Sequence, residues 1–95
     1  MFKVEFAIHV RHKTGWATFR KEGQLPFAPF TGLDILDEYP GQFTLTHVAW
    51  DGTSQLFLCQ STLDMPRSTF RSLRAPFLKS KWIEDEDARQ GLNGH

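Results

Sequence analysis

Ninety-five residues with eleven Lys/Arg against eleven Asp/Glu make a short, formally neutral chain, and a domain of this size withdraws only about 60 to 65% of its unfolded surface from water, so it can build one core. Nine Phe, three Trp and one Tyr make that core aromatic. No uninterrupted apolar run reaches signal-peptide or membrane-span length, and the lone Cys59 forbids an internal disulfide; the composition points to a soluble cytoplasmic domain, with no membrane partner and no stapled secreted scaffold.

From Phe2 to Val10 the chain alternates strictly, with Phe2, Val4, Phe6, Ile8 and Val10 on one side and Lys3, Glu5, Ala7 and His9 on the other. This is a strand with one buried face. Gly15 punctuates, and "WATFRK" reads as a second strand completing a hairpin. In "QLPFAPFTG" Pro26 and Pro29 forbid a helix, which leaves a stiff extended arm. Phe27 and Phe30 on it either lid the sheet or are presented to a partner. "LDIL" reads as a short strand, and "YPGQ" as a type II turn with Pro40 and Gly41 at its centre.

"FTLTHVAW" and "SQLFLCQ" flank Asp51 and Gly52, a strong hairpin signal. A two-residue loop there sets Leu45 opposite Leu58 and His47 opposite Leu56, with Cys59 on the other face from His47. A loop longer by one residue would bring Cys59 and His47 to one face. Asp64 reads as a helix N-cap with Pro66 in the first turn, and Pro76 as the reason to stop near Leu73 or Arg74. "FLKSKWI" then reads as a last strand, and residues 84–95 as an acidic, mobile tail beyond a single globular domain, 1–83. The fold class that follows is mainly β (α+β): a small antiparallel sheet or partly open barrel of five to six strands, with one short helix near residues 65–74.

Charge is uneven within the neutral total. Residues 25–63 carry no Lys or Arg, whereas residues 64–83 carry Arg67, Arg71, Arg74, Lys79 and Lys81 against Asp64 alone. Wound at roughly 100° per residue, the helix places Arg67, Arg71 and Arg74 within about 60° of one another, with Phe70 and Leu73 on a separate stripe as its buried anchor. Such a stripe is a solvated face, a grip for an acidic protein, or a grip for phosphates.

Chemistry-bearing constellations are sparse. His9 and His12 are an odd number of residues apart on a strand and point to opposite faces, so no metal site is expected. Asp34, Asp37 and Glu38 read as a solvated turn flank. No nucleotide-binding, hydrolase or metalloprotease motif occurs, so no cofactor and no catalytic residue is assigned. The leading expectation is a small non-catalytic protein-interaction domain that binds an acidic partner through Arg67, Arg71 and Arg74, with Lys79, Lys81, Trp16 and Trp50 nearby. The alternative is a nucleic-acid-binding module using the same cations for phosphates and an exposed Trp16 or Trp50 for stacking. A small enzyme built around His47 ranks third.

Overall fold

The alternating N-terminal segment forms β1 (Phe2–His12), which turns through Lys13 and Thr14 into β2 (Gly15–Leu25). The computed structural model describes residues 1–85. Eleven residue pairs run from Phe2↔Leu25 to His12↔Gly15. Beyond them come β3 (Asp34–Leu36), β4 (Gln42–Thr44), β5 (His47–Asp51), β6 (Leu56–Asp64), helix α1 (Phe70–Lys79) and the two-residue β7 (Ile83–Glu84). The main sheet has the order β5-β6-β1-β2-β7, and β3 with β4 forms a separate ribbon. The sheet is mixed, because β6 runs parallel to β1, and it stays open.

One face of this sheet is covered. Val4, Phe6, Ile8 and Val10 share it with Ala17 and Phe19 of β2 and Cys59 of β6, and on it lie Phe43 and Leu45 from the ribbon side, Leu73 and Phe77 of α1, and Trp82. The rings interlock: Phe19 stacks on Phe77 at 4.1 Å, and Phe43 and Phe77 each meet Trp82 edge to face at 5.7 and 5.8 Å. The indole N–H of the buried Trp82 donates to the Tyr39 carbonyl at 2.8 Å, which satisfies the one polar atom of that side chain. Gly23 belongs to the same packing, since a Cβ there would stand 3.3 Å from the Phe6 ring.

Three local expectations give way. The loop after Asp51 has four residues, not two: Asp51 pairs with Leu56, Ala49 with Leu58 and His47 with Gln60. The Asp51 carboxylate closes it by accepting from the Thr53 N–H at 3.0 Å and from the Ser54 hydroxyl at 2.9 Å, and the positive φ falls on Gln55 (+57°). Side-chain capping outbids the Asp-Gly dipeptide. "FTLTHVAW" is also two strands, with Leu45 turned into the core at the bend between β4 and β5, so Leu45 does not face Leu58. The helix spans 70–79 rather than 65–74 and continues through Pro76. At the other tight turn, Gly41 takes φ +102° beside a cis Tyr39–Pro40 bond.

Candidate interaction surface

The N-terminal end of α1 is fixed by Thr69, not Asp64. Its hydroxyl accepts from the Ser72 N–H and the Ser72 hydroxyl accepts from the Thr69 N–H, both at 3.1 Å, a reciprocal capping pair. At the other end Trp82 N–H donates to the Phe77 carbonyl and Lys81 N–H to the Leu78 carbonyl, with Lys81 in the left-handed region at φ +73°. This is a Schellman termination, and its accompanying apolar contact is the Phe77–Trp82 ring pair. The helix passes Pro76, which lacks an N–H, because Leu73 and Phe77 hold it to the sheet on either side of that residue.

With Leu73 and Phe77 turned inward, Arg71, Arg74, Ala75, Leu78 and Lys79 face solvent. Arg67 is not on the helix: it lies in the turn before Thr69, so the three arginines do not form one helical stripe. Phe70 is half-buried, with its ring 5.9 Å from that of His12, and anchors less than the sequence implied. The surface instead extends in a direction the helical pattern could not indicate. Met65 N–H bonds to the Arg11 carbonyl and Lys13 N–H to the Ser68 carbonyl at 2.8 Å, which sets the tip of the β1–β2 hairpin, with exposed Lys13, beside Arg67.

The balance of charge differs across the molecule. Arg20 is held between Glu5 (2.6 Å) and Asp85 (2.7 Å), and Lys21 pairs with Asp37 at 2.7 Å while lying over the Trp82 ring. Around α1, Arg74 pairs with Glu84 at 3.0 Å. Arg67, Arg71, Lys79 and Lys81 are exposed and have no ion pair among the described residues. A groove of about 840 Å³ runs along β2 and β7 past Arg20, Ile83, Glu84 and Lys81.

The two exposed tryptophans, Trp16 and Trp50, stand apart from the cations of α1. Trp16 pairs with Arg11 and so lies on the uncovered face of the sheet, opposite to α1. Trp50 lies on the edge strand β5, 58% exposed, against Phe57. Phe27 and Phe30 are both exposed, their rings 6.4 Å apart, so neither belongs to the core.

Neither the Cys59–His47 pair nor a pair of Asp34 with Asp37 is assembled. His47 is exposed and pairs with Gln60, so the adjoining Cys59 points to the opposite face, buried, where desolvation pushes its thiol up to about 11. Asp34 accepts from the Thr44 hydroxyl and Asp37 is taken by Lys21. Among the described residues no cluster of three His, Cys, Asp or Glu could hold a metal ion, and no helix is long and apolar enough to cross a membrane.

Comparison with known proteins names nothing. No protein-family model, no curated protein and no solved structure matches this chain. The reading of function therefore rests on the geometry above.

Two residues of the acidic tail expected from residue 84 belong to the fold. Glu84 is part of β7 and pairs with Arg74, and Asp85 is buried beside Arg20 with its N–H on the Thr18 carbonyl. The rest of that segment, 86–95, lies outside the described residues.

Proposed function

We propose that this chain is a small non-catalytic interaction module that binds an acidic protein segment across the outer side of α1 and the adjoining hairpin tip. The observation that carries the reading is the local imbalance of charge: Arg67, Arg71, Lys79 and Lys81 are exposed without an ion pair among the described residues, while the cations of β2 are matched by carboxylates. Ala75 and the part-exposed Leu78 lie between these cations on the helix, which suits a segment that alternates acidic and apolar residues. A reducing compartment such as the cytoplasm accords with the single buried cysteine. The exposed side of α1 carries no aromatic ring and Trp50 lies on the far edge strand; this favours a protein over a single-stranded nucleic acid, which needs stacking rings along the phosphate track.

The test is fluorescence anisotropy with a labelled Glu/Leu peptide and, in parallel, a labelled single-stranded oligonucleotide. Replacing Arg67, Arg71 and Lys79 together with Ser should abolish peptide binding while moving stability by less than about 1 kcal/mol, because exposed charges contribute little to folding. Tighter binding of the oligonucleotide, with log affinity falling by about 0.7 per phosphate neutralised for each unit of log salt, would turn the assignment to nucleic acid. Unchanged peptide binding in the folded triple variant would remove the surface from consideration.

A further inference from the structure

Among the described residues β5 is an edge of the main sheet and pairs with β6 alone. The five residues of β5 include no Pro and no Lys, with which edge strands commonly refuse a partner, and a single fixed charge, Asp51, at its end. We propose that β5 pairs with β5 of a second copy of this chain, antiparallel about a two-fold axis at Ala49, joining the two sheets into one.

The sequence of β5 is self-complementary in that register and in no neighbouring one. Residues directly opposite in an antiparallel pair share a face of the sheet. With Ala49 opposite the partner's Ala49, His47 stands opposite the partner's Asp51, and Val48 opposite the partner's Trp50, each twice by symmetry. The two polar pairs fall on the uncovered face, where the imidazole can donate to a carboxylate in either protonation state. The two apolar pairs fall on the covered face, continuing the row Trp50, Phe57, Val4. Trp50 is there the most exposed of the three tryptophans, edge to face with Phe57 at 5.0 Å, and the partner's Val48 would close over it. A slip of one residue turns the sheets' covered faces to opposite sides, and a slip of two sets His47 against Ala49 and shortens the overlap. The loop donors hold the Asp51 carboxylate in place.

One five-residue strand pair buries less than the about 800 Å² per partner of a standard stable interface, so association is reversible and depends on concentration. Sedimentation velocity of the full chain from about 5 to 500 μM should show the mean mass rising from monomer toward dimer. His47→Glu sets two like-charge pairs against Asp51 and should weaken the dimer at least tenfold, whereas His47→Lys should keep it; thermal melts of both at low concentration confirm that they fold. Ala49→Cys should oxidise to a covalent dimer at least ten times faster than His47→Cys, whose two copies would be about 13 Å apart along the paired strands. Cys59 is buried and stays out of that readout. A monomer throughout the range, a His47→Glu variant that dimerises like wild type, or equal cross-linking at 47 and 49 overturns the proposal. These variants leave the helix cations intact, so the outcome is independent of the peptide-binding test.

Discussion

Lys81 stands at φ +73°, the position after the helix cap that glycine usually fills, and a residue with a Cβ is strained there. Lys81→Gly should therefore raise stability by about 1 kcal/mol, read as a higher urea midpoint at unchanged slope. Cys59 makes the opposite kind of statement. Its thiol titrates near 11 in the folded protein because burial disfavours the thiolate, while in the unfolded chain it titrates near the ordinary value of about 9. Between those values the unfolded state has released the proton and the native state has kept it, so stability is full below the lower value and falls as pH rises through the higher one. The loss should amount to about 2 kcal/mol, visible in denaturation curves collected from pH 8 to 11 and absent in Cys59→Ala.

At the level of the element, α1 separates adhesion from display along its two sides. Phe77 meets Phe19, Tyr39 and Trp82 and is fully buried, so Phe77→Ala should cost about 3 to 5 kcal/mol. Phe70 is only half-buried, and its replacement by Ala should cost about 1 to 2 kcal/mol. Thr69→Ala breaks the capping pair and should cost about 1 kcal/mol. Equal losses at 70 and 77 in chemical denaturation would mean that the helix is anchored differently from the packing described.

For the whole molecule, the two residues after Ile83 act as a clasp. Asp85 and Glu5 hold Arg20, Glu84 holds Arg74, and β7 pairs with the outer edge of β2. Ending the chain at Ile83 should lower stability by about 1 to 2 kcal/mol, a figure kept small because the Arg20 and Arg74 side chains are half-exposed to solvent. A chain ending at Ile83 that melts like the full protein would show that the clasp is not needed.

The residues fix by themselves what depends on period and on composition. Strict alternation from Phe2 to Val10 specified β1 and its buried face, because a side-chain period of two has one reading on a sheet. The aromatic content specified a core of interlocking rings, and the lone Cys59 ruled out a disulfide. Cys59 and His47 stay on opposite faces even though the loop after Asp51 is two residues longer than the Asp-Gly pair implied, since a change by an even number preserves facing. Tertiary contacts decided the rest. Thr69 caps α1 and Pro76 lies inside it because Leu73 and Phe77 pack on the sheet, a gain that local propensity does not contain. Lys13 stands beside Arg67 because two backbone bonds join the hairpin tip to the turn before α1. Trp16 and Trp50 are parted from the helix cations because strand order places one on the open face and the other on the far edge. Contacts between residues remote in sequence carry no local period, so a single chain read in order leaves no trace of them.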